Sequence, residues 1–185
     1  KLEISSTVPL VEKLKAGELD LVVGTIPVTK AEGLDIIPIY SEPLLVIAPA
    51  SHPLADRSTV NPESLSGQSF IFFHEGSMTR AIVERVFEKS GVVPLVTMAI
   101  DSPEAIKNLV SSGLGMSVLP ERIVRDDIEK GEIVALSVEG FHLERHLGLI
   151  LQPGRYRSVT VRAFLDVMEE EMELPFPADL KSPGD

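Results

Sequence analysis

The sequence predicts an α/β protein built from two lobes. Segments typical of helices alternate along the chain with short apolar runs typical of buried strands, an order that places helices against a sheet. The clearest such unit is residues 100–121, and a second one occupies residues 1–23. A polar, proline-containing stretch at residues 49–58 follows the first group of elements and predicts a boundary between lobes.

The best-defined helix has start and stop signals at both ends. Ser102 can be its N-cap, and Pro103 occupies the first helical position, where its missing N–H costs nothing. Gly113 suits the left-handed residue that ends a helix, and residues 116–119 then form a buried strand. We therefore expect a helix whose N-terminus lies beside strand ends, where α/β sheets hold small and often anionic ligands.

The remaining segments complete two lobes. Apolar runs predict strands at residues 1–5, 19–23, 34–40, 43–48, 70–73, 94–100, 133–138 and 143–151, with a turn at residues 41–42. Further helices are predicted to begin near residues 6, 77, 122 and 158. Lobe I then comprises residues 1–48 and 150–174, lobe II comprises residues 49–149, and residues 175–185 form a polar, loosely ordered tail. A cleft between two such lobes is a natural ligand site.

Composition and charge exclude several classes of function. The chain of 185 residues has no Cys, so it has no disulfide, no thiolate nucleophile and no cysteine-ligated metal. Its formal net charge of -11 argues against nucleic-acid binding by this piece itself, because phosphate contacts need a basic face. No apolar run is long enough to cross a bilayer, and no basic-then-apolar signal stands at Lys1.

The order and spacing of several segments resemble the effector-binding (co-inducer) domain of LysR-type transcriptional regulators. The resemblance covers Lys1 to about Met172 and is carried by LVEKLKAGELDLVVG, SEPLLVIAPASHPLA, SLSGQSFIF, GSMTR, SPEAIKNLVSSGLGMSVLPE and ERHLGLILQPGR. It implies a periplasmic-binding-protein type II fold, in which two Rossmann-like lobes are joined by two crossover strands. It also implies that the first strand and helix of the family domain are missing here, because the family's pattern begins before the strand at Leu2.

The resemblance implies a sensor and not an enzyme. A small effector, often a carboxylate or aromatic metabolite, is expected between the lobes, with no catalytic residue, cofactor or metal. DNA binding is expected only through an N-terminal winged helix-turn-helix carried elsewhere on the full chain. The family also implies a cytoplasmic homodimer or tetramer without membrane contact.

Four candidate ligand-binding residues lie in lobe I. Ser6 and Thr7 stand where a strand gives way to a helix, so one hydroxyl can cap the helix while its neighbour faces a ligand. By resemblance, Thr7 matches a family position that lines the pocket. Gly24 and Thr25 follow a predicted strand, where the missing side chain lets backbone approach a ligand and the threonine offers a hydroxyl. A tight turn is the plainer interpretation of Gly24.

Six further candidates lie in lobe II. His74, Ser77 and Thr79 follow the strand at 70–73 and lead into a helix, which offers N–H donors and a titratable partner to a carboxylate. Asp101 and Ser102 end the next strand, where plain helix capping is the favoured interpretation. The remaining candidate is Met116, which either belongs to the core or forms the floor of the pocket.

Two other sequence patterns and two rival functions have less support in the sequence. His142, Glu144 and His146 share one face of a strand, but without a further cluster we interpret them as a solvated face and not a metal site. The pair Gly113 and Gly115 lacks the third glycine of a dinucleotide motif. A transporter solute-binding protein would need a secretion signal, and an enzyme on this fold would need convergent acid and base groups that the sequence does not offer.

Overall fold

The structure is a computed structural model that describes residues 1–26, 32–173, 175–177 and 180. The chain divides into two compact units. Unit 1 contains residues 1–41 and 146–185, and unit 2 contains residues 42–145. The chain passes between these units at residues 41–42 and 145–146. The lobe boundaries that the sequence places at residues 48 and 149 stay a prediction.

Unit 1 is built from two helices and antiparallel strands. Helix α1 (Thr7–Lys15) precedes β1 (Val22–Ile26), and β7 (Glu144–Leu151) precedes α5 (Val159–Met172). Strand β1 pairs antiparallel with β7, from Val22 opposite Ile150 to Ile26 opposite His146. Leu10, Leu14 and Val22 belong to one apolar cluster, whereas Leu149, Val161 and Leu165 belong to a second.

One long strand, β2 (Asp35–Pro49), replaces the two strands and the turn that the sequence predicted. In unit 2 its second half pairs antiparallel with β5 (Ser117–Pro120) and with β6 (Ile133–Leu136). Ser41 and Glu42 therefore lie inside a continuous strand. Pairing of β2 with β5, β6 and β7 binds its backbone, which overrides the local turn signal.

The rest of unit 2 is a two-stranded parallel sheet with helices around it. Its elements in order are a short 3-10 helix (Pro62–Leu65), β3 (Ser69–Phe72), α2 (Met78–Lys89), β4 (Leu95–Ala99), α3 (Pro103–Ser111) and, after β5, α4 (Glu121–Glu129). Strand β3 pairs with β4 in parallel, so the carboxyl ends of both strands meet at one edge. Phe70, Phe72 and Phe87 form an aromatic core, with ring centroids 5.3–6.0 Å apart.

Two predictions at the chain ends differ from the structure. Residues 1–5 are not a strand, and Leu2 and Ile4 are 86% and 89% exposed. Alternation of apolar residues favours a strand, but a strand forms only where a neighbouring strand binds its peptide groups. In the predicted tail, Phe176 and Leu180 are buried in the α5 cluster and so are not loosely ordered. Residues 178–179 and 181–185 of that tail lie outside the described residues.

Candidate functional site

The four candidates of unit 1 come together where α1 begins and β1 runs. The Oγ1 atom of Thr7 accepts a hydrogen bond of 3.1 Å from the backbone nitrogen of Thr25, which is buried. Ser6 is the N-cap residue by its extended backbone, but its side chain makes no cap hydrogen bond. Neither hydroxyl therefore caps α1 in the way the sequence suggested, because that of Thr7 is used to hold the helix against β1.

Gly24 owes its place to this contact between helix and strand. A Cβ atom built on Gly24 would stand 2.7 Å from Oγ1 and 2.8 Å from Cγ2 of Thr7, closer than real Cβ contacts allow. The missing side chain thus lets Thr7 approach the strand. That fact explains the glycine without a ligand, and the expectation that it lets backbone approach a ligand stays a prediction.

Four of the six candidates of unit 2 lie at the carboxyl edge of the parallel sheet. His74 follows β3 and Asp101 follows β4, and Nδ1 of His74 contacts Oδ1 of Asp101. Ser77 caps α2 by accepting a hydrogen bond of 3.4 Å from the backbone nitrogen of Arg80. Ser102 caps α3 in the same way, accepting from Ala105 at 3.3 Å. Parallel pairing of β3 and β4 explains why two residues 27 positions apart meet.

Arg80 fixes the end of β3 beside this edge. Its side chain is mostly buried, with Nη1 donating to the carbonyl oxygen of Phe73 at 3.2 Å and Nε donating to Glu84 at 2.7 Å. The guanidinium also lies 5.7 Å from the centroid of the Phe72 ring. The sequence offers no signal for the backbone contact of Arg80.

Met116 differs from the polar candidates because its side chain belongs to the apolar core of unit 2, where it is 1% exposed. Its backbone joins β3, because its nitrogen donates to Ser69 and its oxygen accepts from Ile71, both at 2.8 Å. The interpretation of Met116 as a core residue, which the sequence left open, describes this position. Its role as the floor of a pocket stays a prediction.

Thr79 is linked through hydrogen bonds to Arg145 and Glu42, which the sequence did not single out. It is buried in the first turn of α2, and Nη1 of Arg145 donates to its Oγ1 at 3.4 Å. The same guanidinium donates from Nε to Oε1 of Glu42 at 2.5 Å, and Glu42 is 2% exposed. No local pattern could have revealed this pair, because Glu42 and Arg145 stand 103 positions apart.

The remaining observations concern metal ligands, His146, a cavity and membrane-spanning helices. Among the described residues, no group of three or more His, Cys, Asp or Glu side chains could hold a metal ion. His146 is one of the three residues that the sequence places on a solvated strand face. Its Nδ1 lies 2.5 Å from Oγ of Ser41. An apolar cavity of about 410 Å³ in unit 2, lined by Phe72, Phe87 and Val96 among others, includes none of the candidate residues. No helix in the described part of the chain is long and apolar enough to span a membrane.

Comparison with known proteins identifies the family. The model of the LysR substrate binding domain matches residues 1–173. The RuBisCO operon transcriptional regulator of Allochromatium vinosum is 32% identical over 171 residues, which are 92% of this chain and 56% of the relative. The transcriptional activator CmpR of Synechocystis is 35% identical over 135 residues, 73% of this chain and 44% of that protein. The chain thus spans about half the length of the curated relatives it matches.

Solved structures share the fold. The regulatory domain of Synechocystis CcmR in complex with 2-PG is 28% identical, with a TM-score of 0.83 over 94% of this chain and 83% of that one. The effector binding domain of QuiR in complex with shikimate is 21% identical, with a TM-score of 0.78 over 94% of this chain and 81% of that one, and shows the fold alone. The predicted α/β fold class and the resemblance stated from the sequence are thereby confirmed. This chain belongs to the LysR substrate-binding domain family.

Proposed function

We propose that this chain is the effector-sensing domain of a LysR-type transcriptional regulator. It binds a small, anionic or aromatic metabolite and transmits its presence to an N-terminal winged helix-turn-helix of the full protein. The observation that carries this proposal is the family match over residues 1–173 together with the likeness to a regulatory domain that has 2-PG bound. The relatives' names, which describe transcriptional regulators, support the same role.

The candidate residues supply the effector contacts in this proposal. In unit 1 these are Ser6, Thr7, Gly24 and Thr25, and in unit 2 His74, Ser77, Thr79, Asp101, Ser102 and Met116. Hydroxyl groups and free N–H groups at helix starts are suited to a carboxylate or phosphate oxygen. The acidic side chain of Asp101 suits a hydroxyl or amine of the same effector instead.

The proposal also concerns what the chain does not do. It catalyses no reaction, works in the cytoplasm, and acts within a homodimer or tetramer. DNA contacts belong to the helix-turn-helix, since a chain with a net charge of -11 does not favour the basic face that a nucleic-acid backbone needs. A thermal-shift screen of small metabolites, beginning with 2-PG and shikimate, tests sensing. Calorimetry then gives the dissociation constant.

The decisive experiment asks whether the chain only binds the effector or also converts it. We expect a saturable effector that is recovered unchanged by mass spectrometry after prolonged incubation, and a Thr79→Val variant that binds it at least tenfold more weakly. Effector consumption would overturn the assignment as a sensor. The full-length regulator should shift a promoter fragment in an effector-dependent way, and an effector without any influence on DNA binding or transcription would contradict the proposal.

A further inference from the structure

Arg145 connects the first turn of α2 to a buried carboxylate. Its Nη1 lies 3.4 Å from Oγ1 of Thr79, and its Nε lies 2.5 Å from Oε1 of Glu42. Its Nη2 contacts the same carboxylate oxygen. Glu42 and Thr79 are almost completely buried, whereas the Arg145 side chain is 21% exposed. One guanidinium therefore fixes two polar groups that lie on β2 and α2.

The chemistry of this contact decides how Thr79 uses its hydroxyl. A guanidinium has five N–H donors and no acceptor, so the oxygen of Thr79 must accept from Arg145. The hydroxyl proton is then left for another acceptor. Among the residues that the structure describes, Arg145 is the one hydrogen-bond partner of this hydroxyl. Thr79 thus presents a donor.

Glu42 makes this arrangement rigid. Contacts from both Nε and Nη2 hold the guanidinium plane, and a carboxylate that is 2% exposed is expensive to leave without its partner. A lysine at position 145 has no planar fork and would not hold both Glu42 and Thr79 in this way. The ion pair of Glu42 and Arg145 therefore fixes the position of the guanidinium that donates to Thr79.

We propose that Arg145 is a positioning residue of the effector site, which fills one acceptor position of the Thr79 hydroxyl and leaves its proton for an acceptor group on the effector. The group recognised at Thr79 is an oxygen of a carboxylate, a phosphate or a carbonyl, and the neighbouring guanidinium cation disfavours an ammonium group. This inference rests on the proposed function, because it names the effector chemistry that the same site accepts.

The test compares acceptor and donor probes at Thr79 itself. Acetate offers acceptors alone, and methylammonium offers donors alone. Backbone amide resonances of residues 78–80 are followed by NMR during titration of the 185-residue chain with each probe. We expect acetate to move these resonances with saturation, and methylammonium to leave them unchanged. Acetate that leaves them in place in the unsubstituted chain would overturn the proposal.

Substitutions then ask whether Arg145 acts through Thr79. Arg145→Met alone leaves Glu42 buried without a partner and can unfold the chain, so the main variant is Glu42→Gln combined with Arg145→Met, which keeps the net charge unchanged. Acetate affinity should fall at least fivefold in this variant and in Thr79→Val. It should fall no further when all three changes are combined. An additional fall in the combined variant would mean that Arg145 contacts the probe directly, and the positioning role would be wrong.

A matched control separates this effect from the loss of any ion pair. Arg125 and Glu121 form an exposed pair on α4, 3.6 Å apart, and the variant Glu121→Gln combined with Arg125→Met should leave the acetate response unchanged. The outcomes distinguish failure of this inference from failure of the proposed function. If the metabolite screen finds an effector but acetate ignores Thr79, only the role of Arg145 fails. If acetate responds as expected but no effector regulates the full protein, the proposed function fails instead.

Discussion

The hydroxyl oxygen of Thr7 accepts a hydrogen bond from the buried backbone nitrogen of Thr25 across 3.1 Å. A buried N–H group without an acceptor costs about 1–3 kcal/mol. Thr7 therefore stabilises the contact between α1 and β1, whatever it contributes to an effector. The structure thus assigns a role in holding α1 against β1 to a residue that the sequence proposed for helix capping or ligand binding.

Replacement of Thr7 should separate these two roles. Thr7→Val removes the acceptor for Thr25 and should lower the free energy of unfolding by about 1–3 kcal/mol. Thr7→Ser keeps the oxygen and should cost about 0.8 kcal/mol or less, which is the value of one buried methylene. Urea unfolding followed by circular dichroism measures both. Equal stability of the two variants would show that the hydrogen bond does not contribute.

Gly24→Ala should be destabilising because of space and not because of backbone conformation. The new Cβ would stand 2.7 Å from Oγ1 of Thr7, and overpacking of this kind costs about 1–3 kcal/mol. In a Thr7→Ala background the two closest atoms are gone, so the same glycine substitution should cost clearly less. A double-mutant cycle by urea unfolding measures this difference. An identical cost in both backgrounds would contradict the steric explanation.

Helix starts could be predicted from the sequence because their signals are local. Ser77, Ser102 and Ser158 were each predicted to begin a helix, and each accepts a hydrogen bond from the backbone nitrogen three residues later. A cap needs only a short side-chain acceptor beside the first free N–H groups, so a few neighbouring residues decide it. The positions of α2, α3 and α5 were confirmed for this reason.

Strand pairing and the polar contacts of the site could not be predicted in the same way. β2 continues through Ser41 because strands β5, β6 and β7, far away in the sequence, bind its backbone. The partner of Glu42 likewise depends on a strand 103 residues away. Periodicity reports which face of a segment is apolar, but it does not report which distant segment lies beside it.

Phe176, which follows α5, provides a third test. Phe176 is 7% exposed and packs in the cluster that contains Leu149 and Leu165, so Phe176→Ala should lower the free energy of unfolding by about 3 kcal/mol. Phe164, on α5, is 44% exposed and gives a matched control. Phe164→Ala should cost less than about 1 kcal/mol, as is usual for an exposed residue. Thermal unfolding compares them, and equal losses would mean that residue 176 does not belong to the core.

Lys107 joins α3 to α4 through two carboxylates. Its Nζ lies 2.8 Å from Oε2 of Glu104 and 2.9 Å from Oδ2 of Asp127, and these hydrogen bonds raise the pKa of Lys107 above its usual value. Glu104 is largely exposed, whereas the Asp127 side chain is 13% exposed. Solvent screens the first pair, so the second should contribute most of the stability.

Substitution of Lys107 should therefore have an effect that depends on pH. A lysine whose pKa is higher in the folded state stabilises fully below its unfolded pKa, near 10.5, and loses that contribution as the pH rises through the folded value. Lys107→Met should cost about 2 kcal/mol at pH 7, the range of hydrogen bonds to charged groups. The difference from the unsubstituted chain should remain constant up to pH 9 and shrink above about 10.5. Glu104→Gln is the control and should cost less than about 0.5 kcal/mol at pH 7. Urea unfolding at pH 7, 9 and 11 measures the free energy of unfolding of the unsubstituted chain and of each variant. A cost of Lys107→Met that grows with pH would rule out the charged lysine as its source.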